Sequence, residues 1–198
     1  PMLKAPRSAL SASSRLGLLV APVAASALLG TAGLSRAEDK RASPHEQVSA
    51  VLGGKKVTID YGRPFKKGRQ VFGAAGALVP SGQVWRTGAD EATVLTTEGD
   101  LTIGTLRVPA GSYALFTVPG DKEWTLVVNK VAKQWGAFKY DAKQDLGRTA
   151  MKVTQAAATA APVEQFTIAI ETQGDKQGTL KLSWDKLVAT VAVAPAGR

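Results

Sequence analysis

Apolar residues recurring at every second position constrain this chain more than any other feature. Val57, Ile59 and Tyr61 alternate with Thr58 and Asp60, and Trp124, Leu126 and Val128 with Thr125 and Asn129. Farther on, Phe166, Ile168 and Ile170 alternate with Gln165, Thr167 and Glu171, and Leu180, Leu182 and Trp184 with Thr179, Lys181 and Ser183. A period of two places one set of side chains on one face of an extended strand and the other set on the opposite face. Turn-forming clusters separate these runs: Gly53-Gly54, Glu98-Gly99-Asp100, Pro109-Ala110-Gly111, Pro119-Gly120-Asp121 and Gly174-Asp175-Lys176. Each pairs a residue that fixes or tolerates unusual φ with polar neighbours, as hairpins require. The pattern predicts about nine or ten strands. The expected fold is all-β: a single antiparallel β-sandwich, jelly-roll-like. Two stretches stand apart. Residues 64–82, rich in glycine and proline, read as a long ordered loop, and 156–162 as a spacer.

Before the strands, Lys4, Arg7 and Arg15 precede an uncharged run, Leu16 to Leu34, followed by Ser35-Arg36-Ala37, which places small residues at Ser35 and Ala37. A basic region, an apolar region and a small-residue cleavage site make a secretory signal. The expected organisation is therefore a signal peptide at 1–37, a flexible stretch at 38–46 and the β domain at 47–198. The expected location is periplasmic or secreted, with no membrane span once the leader is removed. Of the 25 Lys and Arg, the four at Lys4, Arg7, Arg15 and Arg36 lie in the leader, which leaves 21 against 16 Asp and Glu, a net +5. An excess this mild, with no concentrated basic stripe, argues against nucleic acid as a partner.

The sequence has no cysteine, which removes disulfides, thiolate catalysis and thiolate metal sites, so an apolar core must supply the stability. His45 is the single histidine, in a segment read as preceding the first strand. One histidine without cysteine falls short of the three or so protein ligands a zinc site needs, and neither a metal nor another cofactor is expected. No G-x-S-x-G, Walker-type or G-x-G-x-x-G motif occurs. A carboxylate pair such as Asp60 with Glu91 is the remaining acid–base candidate.

One band combines arginine, aromatic and glycine residues: Tyr61-Gly62-Arg63-Pro64, Gly68-Arg69, and Val84-Trp85-Arg86-Thr87-Gly88-Ala89-Asp90-Glu91-Ala92-Thr93. Guanidinium groups recognise carboxylate or phosphate through planar forks, and an indole offers a stacking face. Tyr61, Arg63, Arg69, Trp85, Arg86, Asp90 and Glu91 form the candidate ligand site, with no catalytic residue assigned. A structural role is the competing reading. In it Trp85 anchors the core and Arg86 pairs with Asp90 or Glu91, because charges buried in a fold are paired.

These segments, with Pro109-Ala110-Gly111-Ser112-Tyr113-Ala114-Leu115-Phe116-Thr117-Val118-Pro119-Gly120, Asn129-Lys130 and Gln134-Trp135-Gly136, resemble the Domain of Unknown Function 2911 family of secreted bacterial proteins. The likeness runs from about Ser43 to Val193. It implies an exported β-rich domain and carries over no catalytic residue. The chain departs from the family pattern at Asp90, where asparagine is usual, and at Gly62, where serine is common.

The leading expectation is an exported, non-enzymatic binding or envelope-associated module for a small anion or glycan. A carboxylate-dependent hydrolase or lyase, using Tyr61 or Tyr113 in the same cleft, and a purely structural envelope protein are the alternatives.

Overall fold

The computed structural model describes residues 41–197; the segment 1–37, expected to be a signal peptide, lies outside the described residues. The chain is all-β, as its periodicity requires, and its large sheet is antiparallel throughout. Strands β1 (His45–Leu52), β2 (Lys55–Gly62), β5 (Thr93–Thr97), β8 (Gly111–Val118), β9 (Glu123–Asn129), β10 (Asp145–Gln155), β13 (Leu187–Pro195), β12 (Gln177–Asp185) and β11 (Val163–Gln173) are neighbours in that order. With the strands off this path the described residues form thirteen, eleven of them in this one sheet, more than the nine or ten expected. A side hairpin, β6 (Leu101–Ile103) with β7 (Leu106–Val108), joins β13, and two short segments, β3 (Phe72–Gly73) and β4 (Val79–Pro80), form a separate parallel pair. β13 lies beside β10 while β11 and β12 fold outward, a Greek-key step whose long connection is the spacer 156–162. β1 begins at His45, two residues before the boundary placed at 47.

The β1–β2 hairpin shows how local sequence sets register. Leu52 pairs with Lys55 across a two-residue loop whose glycines both take positive φ, 58° at Gly53 and 73° at Gly54. That is the type I′ geometry, which matches the twist of the flanking strands. The register it fixes turns Val57, Ile59 and Tyr61 inward, each 1 % exposed.

The sheet curls to a nearly barrel-like form, with its path open between β1 and β11. Beyond Gly62 the chain continues alongside β11: Lys66 N donates to Glu164 O at 2.7 Å, Phe166 N donates to Pro64 O at 2.9 Å, and Phe65 faces Gln165. Arg63 clamps the seam through Nε to Phe166 O at 3.0 Å and Nη2 to Thr167 Oγ1 at 2.9 Å, while its Nη1 pairs with Glu46. The backbone groups that two open edges would expose are in this way partly paired.

Inside, Tyr61, Phe72, Trp85, Trp124, Phe166 and Trp184 form one aromatic cluster with ring centroids 4.9 to 6.4 Å apart. At the other end, the apolar space between Val57, Ile59, Leu95, Leu101, Ile103, Ile170, Leu180 and Val193 is about 10 Å³. Room for one water is the most such a space offers, so this part of the interior is filled with side chains and holds no ligand chamber. In the 64–82 stretch the structure has the β3–β4 pair and turns, with no helical turn. Among the described residues no helix is long and apolar enough to cross a membrane.

The phenols yield a pH prediction. Burial raises Tyr61 above the ordinary tyrosine value, against the lowering effect of its hydrogen bond from Ile168 N. Burial also raises Tyr113, helped by Asp100, and Tyr140, whose hydroxyl donates to Asp145 Oδ2 at 2.8 Å. The unfolded chain releases these protons near pH 10 and the folded chain later. Their contribution is therefore fully present below pH 10 and is lost as pH rises through the raised folded values. Ultraviolet titration should show all three tyrosines ionising above pH 10, with stability falling over that window; a tyrosine ionising normally in the folded state would contradict it.

Candidate functional site

A cleft of about 320 Å³ opens at the rim where the seam, the β3–β4 segment and the 85–89 turn meet. That volume is at the lower end of small-ligand sites. Its cationic lining is Lys67, Arg69 and Arg86, and its aromatic lining is Phe65, Trp85 and Trp184. Among the described residues, no aspartate or glutamate lines it. Lys67 Nζ lies 5.9 Å from the centre of the Phe65 ring. Two donors of Arg69 are held by backbone carbonyls, Nε to Lys66 O at 3.0 Å and Nη2 to Phe65 O at 2.6 Å, so its exposed fork is fixed in orientation. A smaller cleft of about 250 Å³ shares Leu78, Val79, Trp85 and Arg86 and ends at Phe138, which is 81 % exposed. Arg86 thus borders both.

The turn that carries Arg86 is held from several sides. Thr87 is fully buried at φ 56° and Asp90 sits at φ 62°. Positive φ at a β-branched residue costs of order 1–3 kcal/mol and persists only where surrounding contacts impose it. Here Trp85 Nε1 donates to Gly88 O at 3.2 Å, Thr93 Oγ1 to Thr87 O at 2.7 Å, Ala89 N to Gly62 O at 3.2 Å and Gly136 N to Asp90 O at 3.0 Å. Asparagine and aspartate are the side chains that best tolerate the left-handed conformation of Asp90. An asparagine at this position suits the same backbone.

The seven candidate residues divide into three groups. Arg69, Trp85 and Arg86 line the cleft together. Tyr61 and Arg63 do not: the Tyr61 hydroxyl is buried, accepting from Ile168 N at 2.9 Å, and Arg63 is committed to the seam and Glu46. Asp90 and Glu91 turn toward β1, where His45 Nε2 lies 3.8 Å from Asp90 Oδ2 and 3.1 Å from Glu91 Oε2. Arg86 takes as its acceptor the backbone carbonyl of Asp90, at 3.2 Å, and not a carboxylate. Asp60 of the proposed carboxylate pair accepts from Gln47 Nε2 at 2.8 Å. Trp85 is both core anchor and cleft wall, so the two readings offered for it coincide.

Sequence reasoning missed Lys67, Phe65 and Trp184 in the cleft, and His45 beside the two acids. The run Lys66-Lys67-Gly68-Arg69 was a visible signal for the first. For His45 the signal was slight, because its position was read as preceding the first strand when it opens β1.

No curated protein and no solved structure matches the chain. A family model described as "Protein of unknown function (DUF2911)" matches residues 43–193, spanning the strands, the cleft and the 85–90 turn, and the chain belongs to that family.

Proposed function

We propose that the protein is an exported, non-enzymatic binding module for a small anion bearing a ring or apolar face. The observation that carries this reading is the cleft itself: three cationic side chains, an aromatic wall and no carboxylate in its lining. A fixed guanidinium recognises carboxylate or phosphate through paired N–H donors, and aromatic faces take the apolar part of such a ligand. A carboxylate-dependent hydrolase would need an acid–base pair in the same cleft, and the lining supplies none. Export rests on the leader at 1–37 and places the ligand in the periplasm or outside the cell.

A thermal-shift screen with sugar acids, sugar phosphates, aromatic carboxylates, neutral oligosaccharides and amino acids tests it. A ligand at 100 times its Kd adds about 2.7 kcal/mol, and each kcal/mol moves Tm by roughly 2–4 °C in a chain of this size. Anions should shift Tm, neutral sugars should not, and added salt should weaken the effect. Lys67→Ala with Arg69→Ala changes two exposed residues, so it should abolish the shift while leaving the unliganded Tm nearly unchanged. A shift that survives this double variant, or no shift with any anion, sinks the reading.

A further inference from the structure

The turn that shapes the cleft sends its last two side chains elsewhere, and there they meet the single histidine. One ligand atom from each of His45, Asp90 and Glu91 lies within 4.8 Å of the others. All three side chains are partly buried, between 30 % and 42 % exposed, on a strand end and a turn that contacts on several sides hold in place. Zinc binds imidazole nitrogen and carboxylate oxygen at roughly 2.0–2.2 Å, which puts neighbouring ligands about 3–3.5 Å apart in a tetrahedral shell. The separations of His45 Nε2 from Glu91 Oε2, 3.1 Å, and from Asp90 Oδ2, 3.8 Å, need small side-chain rotations at most to meet that requirement.

A second observation shows that a cation already lodges at these atoms. Arg41 Nη1 lies 2.9 Å from His45 Nε2 and 3.1 Å from Glu91 Oε2. A guanidinium only donates, so in this arrangement Nε2 accepts. A metal would bind through Nε2 and the two carboxylates, in the place the guanidinium now takes.

We propose that His45, Asp90 and Glu91 form a binding site for a borderline divalent metal of the zinc class, for which the Arg41 side chain is a built-in competitor. One imidazole with two carboxylates suits zinc better than calcium, which takes six to eight oxygen ligands. Three protein ligands leave a coordination position open to solvent. The site is separate from the anion cleft. Ser43 and Ala89, two residues and one residue along the chain from His45 and Asp90, line that cleft, so a bound metal would add positive charge at its rim.

Calorimetric titration of the purified protein with ZnCl₂ in a non-chelating buffer tests this, with CaCl₂ as the comparison. The expected result is one zinc per chain and no heat with calcium. His45→Ala and Glu91→Gln should each weaken zinc binding by about tenfold or more, and Arg41→Ala should tighten it. Zinc bound equally by His45→Ala and wild type would be adventitious and would overturn the site, as would no binding by either wild type or Arg41→Ala. Unchanged affinity in Arg41→Ala would overturn the competitor. None of these residues lines the cleft, so the anion screen stands or falls independently.

Discussion

Replacing Trp85 by alanine should lower the unfolding free energy by about 4 kcal/mol, in the range observed when a large buried aromatic is truncated. The indole is 9 % exposed and stacks on Trp184 at 5.9 Å with 17° between the planes. It also meets Phe166 at 5.0 Å, Phe72 at 6.2 Å and Trp124 at 6.4 Å in edge contacts. Truncation would leave these rings around a void that rigid strands cannot close, and would strip Gly88 O of the N–H it accepts at 3.2 Å. Phenylalanine keeps most of the packing and loses that bond, so Trp85→Phe should cost about 1–2 kcal/mol. Against a total of roughly 5–15 kcal/mol, the alanine variant gives up a large share of the stability. Urea midpoints at constant m-value provide the measurement. A loss below about 1.5 kcal/mol for Trp85→Ala would show that the cluster collapses into the space.

Gly62→Ala should cost about 3 kcal/mol, an effect large for a single methyl group. The cause is space and not dihedral freedom, because Gly62 is not among the residues with positive φ. A Cβ there would lie 2.3 Å from Ala89 O and 3.0 Å from Ala89 C. Both are backbone atoms of the turn that also binds Gly62 O through Ala89 N, so neither side can yield without breaking that bond. Gly88 is confined reciprocally, since its Cβ would come 2.9 Å from Gly62 O. The variant should therefore loosen the 87–90 turn, lower the urea midpoint and disturb Arg86, Asp90 and Glu91 together. If Gly62→Ala melts within 1 °C of wild type, the close approach of the two backbones is not obligatory.

The strands were legible because their inward residues are separated by one polar residue and their turns are written in glycine, proline and aspartate. Val57, Ile59, Tyr61, Leu180, Leu182 and Trp184 all point into the core as alternation demands. The curling of the sheet that brings the chain beyond β2 against β11 was not legible. It depends on residues 64–66 meeting 164–166, a pairing between an apparent loop and a distant strand that no local pattern encodes. The candidate site was half legible for the same reason. Arg69, Trp85 and Arg86 converge as their residue types suggested, but Tyr61 and Arg63 lie on a strand whose alternation and seam commit them elsewhere. His45, Asp90 and Glu91 came together only through the β1–β2 register and the positive φ of Asp90, neither of which composition reveals.

The seam also bears on how the molecule comes to exist. Its hydrogen bonds join residues far apart in sequence: Arg63 to Phe166 spans 103 positions and Tyr61 to Ile168 spans 107. Contacts of such separation become favourable only after most of the chain's entropy has been surrendered, and β proteins dominated by them fold in milliseconds to seconds. The first two strands can form their hairpin early, yet the strand that completes the seam is made a hundred residues later. Until then the core face of β2 stands open to other chains. The seam is therefore among the last contacts the chain can make, and stabilisation from it arrives only when residues 164–168 are in place.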